Sequence, residues 1–216
     1  MVSDTGTFTL EEGRKEVMKG EHKNTVFSIS FCSHFELAVT ASGDGSAIVW
    51  EGEIGGTGWK VASKVEHPDM VLSAMFHPTL CDGLLFATSC DDGIVRLWRI
   101  VVRLLDGRNN EKGWELERVE GGDAPLTLSP NCGRGKGLAF SPCGSTLAVS
   151  FDDSSTVCIY SVDQACDESE EEERREEKKE GWPSFTLVAK LDQAHYYGWV
   201  ARPALSSLAP HSVCMC

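Results

Sequence analysis

Short segments in which apolar and polar residues alternate recur along the chain. Residues 25–31 alternate with a period of two, which is typical of a β-strand that buries one face. Similar segments, rich in β-branched and aromatic residues and separated by turn-forming sequences, follow at 36–42, 46–50, 59–65, 70–76, 84–89, 94–99, 114–119, 137–140, 145–150, 156–160 and 184–191. This pattern predicts an all-β chain whose strands come in three successive groups of four.

Two stretches of the chain carry the same polar residue types in the same order. In each, a histidine precedes a threonine, an aspartate follows the threonine by four residues, and a tryptophan follows the aspartate by six. The two series are His22, Thr40, Asp44 and Trp50, and His67, Thr88, Asp92 and Trp98. The two histidines are 45 residues apart. A period of roughly 20–50 residues indicates a repeat architecture, so the chain contains an internal repeat.

Inside a folded repeat, these four residue types can serve as hydrogen-bond partners for one another. Burying an unpaired polar group costs roughly 2–7 kcal/mol, so a buried aspartate needs hydrogen-bond partners. A histidine, a threonine hydroxyl and an indole N–H can supply them. Each series resembles the His–Ser/Thr–Asp–Trp tetrad of WD40 repeats, the four-stranded blades of β-propellers. The resemblance implies that these residues are structural and do not form a binding or catalytic site.

The resemblance also divides the chain into blades. The first blade is expected at residues 22–66 and the second at 67–119. A third blade is expected at 120–195, with an acidic insertion at 167–180. This blade is degenerate, because it lacks the opening histidine and has Tyr160 where a tryptophan is expected.

Three blades make an arc and not a closed ring, since propellers close with roughly 4–8 blades. The predicted fold class is therefore an all-β, incomplete WD40 β-propeller of about three four-stranded blades, whose parent has seven. We interpret the sequence as a truncated, alternatively spliced or mispredicted product of the gene for such a parent. Residues 1–21 are an N-terminal segment that could supply the outer strand of a preceding blade, and residues 196–216 are a non-homologous tail.

Composition and charge restrict the function classes. The 216 residues carry a formal net charge of −13, which opposes non-specific binding to nucleic acid or to an anionic membrane. No apolar run approaches the ~20 residues of a membrane span. The nine cysteines follow no paired pattern, which favours the cytosol or nucleus over an oxidising compartment.

The sequence carries no signature of catalysis or of a cofactor. It contains neither the Gly-x-Ser-x-Gly sequence of hydrolases nor the His-Glu-x-x-His sequence of zinc proteases. Cys214 and Cys216 lack further ligands at a spacing that a metal site would need. We therefore predict a protein that is not an enzyme, with no metal, no cofactor and no small-molecule substrate.

The loops beside the tetrad turns are the expected partner surface, because by resemblance this face of WD40 propellers carries many partner contacts. The residues predicted to lie there and to contact partners are Lys23, Asn24, Asp69 and Asp91. The sequence thus predicts a protein-interaction scaffold whose partners are other proteins.

Three features resemble one WD40 subunit in particular, the scaffold of the cytosolic iron–sulfur protein assembly targeting complex. They are residues 95–99 with a long connection to 113–118, the late acidic insertion, and residues 185–195. The resemblance implies a scaffold that holds no cluster itself and helps to deliver iron–sulfur clusters to apoproteins. Its partners would be assembly-complex subunits and apoprotein clients, in the cytoplasm and also the nucleus.

Two other classes of WD40 protein remain open. One is a structural subunit of a coat or nuclear-pore complex. The other is a substrate receptor of a cullin ubiquitin ligase, which often carries Trp-Asp-x-Arg after the third strand. The present chain reads Trp-Glu-Gly-Glu at 50–53 and Trp-Arg-Ile-Val at 98–101, so that signature is absent.

Overall fold

The computed structural model describes residues 21–52, 58–79, 84–104, 114–122, 127–163 and 182–192, which form β-strands and no helix. The strands are β1 (Val26–Phe31), β2 (Leu37–Ser42), β3 (Ser46–Gly52), β4 (Trp59–Glu66), β5 (Val71–Phe76), β6 (Leu84–Cys90), β7 (Val95–Leu104), β8 (Trp114–Gly121), β9 (Thr127–Leu128), β10 (Gly135–Phe140), β11 (Thr146–Phe151), β12 (Val157–Asp163) and β13 (Ser184–Leu191). The predicted all-β fold class is confirmed.

The strands form three antiparallel four-stranded sheets. Each sheet is a simple meander, in the order β1-β2-β3-β4, β5-β6-β7-β8 and β10-β11-β12-β13, and the short strand β9 pairs with β7. These sheets are the first, second and third blades. Strand β8 runs to Gly121, past the predicted end of the second blade at residue 119. The N-terminal residues 1–20, the acidic insertion at 167–180 and the tail at 196–216 lie outside the described residues.

The apolar core lies between the sheets. Every residue of β2, β3 and β6 is buried, because these central strands are covered on both faces. One cluster joins the first two blades and includes Val39, Val49, Phe76 and Trp98. A second cluster joins the second and third blades and includes Leu97, Leu147 and Tyr160. Packing between sheets therefore holds the blades together as an arc.

Strand β1 has the alternation that its sequence predicts, but its apolar side chains point away from the second blade. Phe27, Ile29 and Phe31 are 45%, 43% and 61% exposed, whereas Ser28 is buried. The Ser28 hydroxyl accepts a hydrogen bond from the backbone N–H of Ala74 at 2.9 Å. The serine side of β1 is thus the side that packs against the second blade, contrary to a simple apolar-inside interpretation of this strand.

The third blade forms its sheet without a tetrad. Tyr160 is 4% exposed and pairs with Leu147 across the sheet, as Trp98 pairs with Phe86 in the second blade. The tyrosine therefore occupies the position of the tryptophan. Apolar packing against the second blade replaces the hydrogen bonds that the missing histidine would have made.

Candidate functional site

The first tetrad is a continuous chain of hydrogen bonds. The Trp50 indole N–H donates to the Thr40 hydroxyl at 2.8 Å, and that hydroxyl lies 2.7 Å from His22 Nε2. His22 Nδ1 lies 3.1 Å from the Asp44 carboxylate. The backbone N–H of Lys23 and the Ser46 hydroxyl also donate to Asp44, at 2.7 and 2.6 Å. These contacts tie the loop before β1 to the sheet.

The second tetrad is divided in two. Trp98, Thr88 and His67 repeat the first pattern, with distances of 2.9 Å from the indole nitrogen to the hydroxyl and 2.8 Å from the hydroxyl to His67 Nε2. Asp92 instead pairs with the Arg96 guanidinium at 2.6 Å. Within the described residues, His67 Nδ1 has no hydrogen-bond partner. The prediction that His67 supplies a hydrogen bond to the buried Asp92 carboxylate is therefore wrong.

Strand register explains the difference between the two tetrads. Arg96 lies opposite Thr88 in the β6–β7 ladder, and the corresponding residue opposite Thr40 is Ile48. Arginine can reach the carboxylate four residues before it in the turn, whereas isoleucine cannot. The sequence contained this signal, but only the register shows what Arg96 does.

The protonation equilibria follow these contacts. Burial alone would raise the pKa of Asp44, but hydrogen bonds from Ser46, the Lys23 backbone and His22 hold it well below its usual range. For His67, burial and then the positive charge of Arg96 lower the pKa to about 4. The second tetrad thus has a guanidinium charge next to its histidine ring, which disfavours protonation of that ring.

Asp44 should be the more important of the two tetrad aspartates. We expect Asp44→Asn to lower the free energy of unfolding by about 2 kcal/mol at neutral pH, because several charge-assisted hydrogen bonds are weakened. Asp92→Asn should cost less than about 1 kcal/mol, because it mainly breaks a partly exposed ion pair. Because the folded pKa of Asp44 is depressed, its contribution is complete above pH ~4 and is lost as the pH falls further. Urea unfolding of both variants from pH 7 to pH 3 measures this, and equal costs at pH 7 would contradict it.

The tetrad turns, such as that at Asp91–Gly93, lie on one face of the arc, called here the turn face. A cleft opens on this face where the second and third blades meet. Its volume is about 510 Å³. It is lined by the second-blade turn, by the loop before β10 and by the turn between β11 and β12. The lining residues are Asp91, Asp92, Gly93, Ile94, Ser129, Asn131, Gly133, Arg134 and Asp153. Gly93 has a φ of 80°, which favours glycine, and a Cβ there would lie 2.6 Å from the Gly133 carbonyl oxygen. The close approach of the two loops thus requires this glycine.

Acidic residues outnumber basic ones around the cleft. Arg134 Nε lies 3.1 Å from Asp153 and 3.8 Å from Asp91, and an Arg134 terminal nitrogen lies 3.4 Å from Asp152. Lys136 also pairs with Asp152, at 3.2 Å. Burial raises the pKa of Asp91 even though Arg134 opposes this. The cleft is therefore suited to receive additional positive charge.

The four predicted partner residues lie on this face but differ in exposure. Lys23, Asn24 and Asp69 are exposed, and Asp91 is half-buried in the cleft wall. Asn24 donates to the Gly43 carbonyl at 3.3 Å, and Asp69 accepts from the Met70 backbone N–H at 2.7 Å. The sequence did not point to Arg134 or Asp153, which come from segments without a repeat motif.

In the part of the chain that the structure describes, no group of three or more histidine, cysteine, aspartate or glutamate side chains could hold a metal ion. None of the described segments is a helix with the length and apolar character needed to cross a membrane.

The three meanders, the two tetrad positions and the face-to-face packing fit the architecture of an incomplete WD40 propeller. In agreement, the family model described as "WD domain, G-beta repeat" matches residues 15–51 and 60–99. These two segments are WD40 repeats, as the spacing of their tetrad residues predicted.

Similar proteins share only part of the chain. Jouberin of Mus musculus is 34% identical over 82 residues, which is 38% of this chain and 7% of Jouberin. The ribosome assembly protein SQT1 of Saccharomyces cerevisiae is 32% identical over 98 residues, which is 45% of this chain and 20% of that protein. The match thus spans a small part of each relative.

Proposed function

We propose that this chain is a non-catalytic protein-interaction scaffold and that the turn-face cleft is its partner site. The observation that carries the proposal is the cleft itself, an open cavity whose walls come from two blades. Beside it, Trp98, Thr88 and His67 are hydrogen-bonded to one another, and Asp92 pairs with Arg96. These contacts hold the loops in place. WD40 repeats generally mediate binding between proteins, which supports this class of function.

The charge of the cleft indicates the chemistry of the partner. Asp69, Asp91 and Asp153 lie on this face together with Asp92 and Asp152, and the whole chain has a formal net charge of −13. A basic segment that places a lysine or arginine between Asp91 and Asp153 would gain charge-assisted hydrogen bonds. Such a partner would compete with Arg134 for these carboxylates. Nucleic acid, with its phosphate charges, would be repelled.

Within this class, the finer proposal is a subunit of the cytosolic iron–sulfur protein assembly targeting complex. It rests on the resemblance of residues 95–99, 113–118 and 185–195 to that family. Neither Jouberin nor the ribosome assembly protein SQT1 is named for such a role, so these relatives do not add support. The partners would then be assembly-complex subunits and apoprotein clients, in the cytosol or nucleus.

Affinity capture with matched charge variants tests the proposal. Asp153→Lys reverses a charge in the cleft, and Glu117→Lys reverses one on the outer strand β8. Both side chains are 52% exposed, and each pairs with a different arginine: Asp153 with Arg134 at 3.1 Å, and Glu117 with Arg118 at 3.2 Å. We expect Asp153→Lys to reduce recovery of the partner by about tenfold, equivalent to ~1.4 kcal/mol. Glu117→Lys should leave it unchanged.

The outcomes separate the candidate functions. One outcome is recovery of iron–sulfur assembly subunits with the wild type and Glu117→Lys but not with Asp153→Lys. It supports both the cleft as the partner site and the assignment to the assembly complex. Coat subunits, ubiquitin-ligase adaptors or ribosome assembly factors recovered in the same pattern would keep the cleft and overturn the finer assignment. Equal recovery with all three proteins would show that partners bind elsewhere.

A further inference from the structure

The loop before β10, the first strand of the third blade, lacks the histidine–threonine hydrogen bond that holds the corresponding loops of the other two blades to their sheets. His22 and His67 bind the hydroxyls of Thr40 and Thr88, at 2.7 and 2.8 Å. Strand register places Val149 at the corresponding position of the third blade, so no hydroxyl is available there. The loop must be held to its sheet in another way.

Two thiols meet at this place. Cys132 lies in the loop, Cys158 lies on β12, and their Sγ atoms are 3.7 Å apart. Both are free thiols, with 3% and 0% exposure. Register puts Cys158 opposite Val149, where the second blade has Arg96 opposite Thr88. The thiol pair therefore occupies the tetrad region of the third blade.

The backbone around Cys132 is already held near this position. The Ser154 hydroxyl donates to the Cys132 carbonyl oxygen at 2.6 Å. A disulfide needs an S–S distance of about 2.05 Å, so the sulfur atoms would have to approach by about 1.7 Å. Since Cys132 is in a loop and Cys158 in a central strand, the loop side can supply this movement.

We propose that Cys132 and Cys158 are a modification site, at which a peroxide forms a reversible disulfide that fastens this loop to β12. In the first step the Cys132 sulfur takes one peroxide oxygen, becomes a sulfenic acid, and water is released. In the second step Cys158 attacks that sulfur, an S–S bond forms, and the sulfenic oxygen leaves as water with the thiol proton. Two thiols are oxidised, and one peroxide is reduced to two waters.

The surroundings predict how fast the thiols react. Burial, and then contact with Cys132, raise the pKa of Cys158 to about 12, so little thiolate is present at neutral pH. Cys143 is exposed, and hydrogen bonds from Ser145 and Ser141 lower its pKa to about 7. Because Cys132 and Cys158 are both buried whereas Cys143 is exposed, peroxide should oxidise Cys143 before it oxidises the pair.

The disulfide would act on the face that carries the cleft. Cys132 lies between Asn131 and Gly133, both of which line it. Fastening the loop would fix the wall that faces Asp91. An effect on partner binding rests on the proposed function, whereas formation of the bond does not.

Peptide mapping of the full chain tests the proposal. Reduced protein is treated with hydrogen peroxide, the remaining thiols are alkylated, and the protein is digested with trypsin and chymotrypsin without reduction. Arg134 and Phe151 lie between the cysteines, so Cys132, Cys143 and Cys158 fall in different peptides. We expect linkage of the Cys132 and Cys158 peptides, loss of both alkylatable thiols, and recovery of both after treatment with dithiothreitol.

The controls make the outcome decisive. Cys158→Ser should abolish the linkage, and Cys90→Ser should leave it unchanged, because the buried Cys90 thiol instead donates to the Asp69 carbonyl at 3.4 Å. Peroxide treatment in urea gives the pairing of an unfolded chain. The proposal is overturned if Cys132 and Cys158 stay alkylatable after Cys143 is oxidised, or if their linkage is no more abundant in the folded protein than in urea.

Discussion

Replacing Phe76 by alanine is expected to lower the free energy of unfolding by about 3–5 kcal/mol, which is a large fraction of the ~5–15 kcal/mol of a typical domain. Phe76 is 5% exposed and packs edge-on against Phe86, with ring centroids 5.9 Å apart. Its backbone N–H also donates to the Ser30 hydroxyl of the first blade, at 3.2 Å. The substitution would open a cavity in the cluster that joins the two blades. Urea unfolding followed by tryptophan fluorescence measures the loss.

The repeat supplies a matched control at the same register position. Phe31 ends β1 and pairs with Ala38, as Phe76 ends β5 and pairs with Phe86. Phe31 is 61% exposed, so Phe31→Ala should cost less than about 1 kcal/mol. If both variants lose the same stability, the Phe31 side chain must be buried in solution. That outcome would contradict its exposure in the described arc.

Local sequence pattern was sufficient to place the twelve strands of the three meanders, but it missed the short strand β9 and the extension of β7 to Leu104. Alternation such as that in residues 25–31, with a turn at Gly45 or Gly93, is decided within a few residues of the chain. Local pattern was also sufficient to identify the tetrad residues, because the two repeats carry them at the same spacing. Which face of β1 is buried could not be obtained this way. That depends on which side the next blade occupies, and here hydrogen bonds to Ser28 and Ser30 decide it.

The candidate sites depend on contacts that no local pattern carries. The cleft brings Asp91 next to Arg134 and Asp153, which are distant in sequence and belong to no motif. Cys132 and Cys158 meet because β12 lies inside the third blade, and their spacing resembles no known cysteine signature. Arg96 was visible in the sequence, yet its effect on Asp92 follows only from its place in β7, opposite Thr88. Register and packing supply this information, and sequence periodicity does not.

The divided second tetrad should make the protein lose stability in mild acid through His67. The pKa of His67 is about 4 in the folded chain, because the ring is buried next to Arg96, against about 6.5 for an ordinary histidine. Between these values the unfolded chain binds a proton that the folded chain does not. Stability therefore falls as the pH drops through 6.5 towards 4, and the loss through this group is on the order of 2–3 kcal/mol.

Two variants test whether His67 is the cause. His67→Gln removes the titrating ring, so its unfolding free energy should fall less than that of the wild type between pH 7 and pH 4.5. Arg96→Ile copies Ile48 of the first blade and frees Asp92 to pair with His67, which should raise the pKa of His67 and also reduce the loss. His34→Gln, at an exposed contact with the Pro78 carbonyl, is the control and should keep the full wild-type loss.

Nuclear magnetic resonance titration of the His67 ring decides the mechanism independently of stability. We expect a midpoint near pH 4 in the wild type and a higher one in Arg96→Ile. An ordinary midpoint in the wild type would mean that Asp92 already leaves Arg96 for His67 in solution. The two tetrads would then be equivalent, as the repeat alone suggests. A low midpoint that rises in Arg96→Ile would show that one arginine, opposite Thr88, lowers the pKa of His67 and makes the second tetrad sensitive to mild acid.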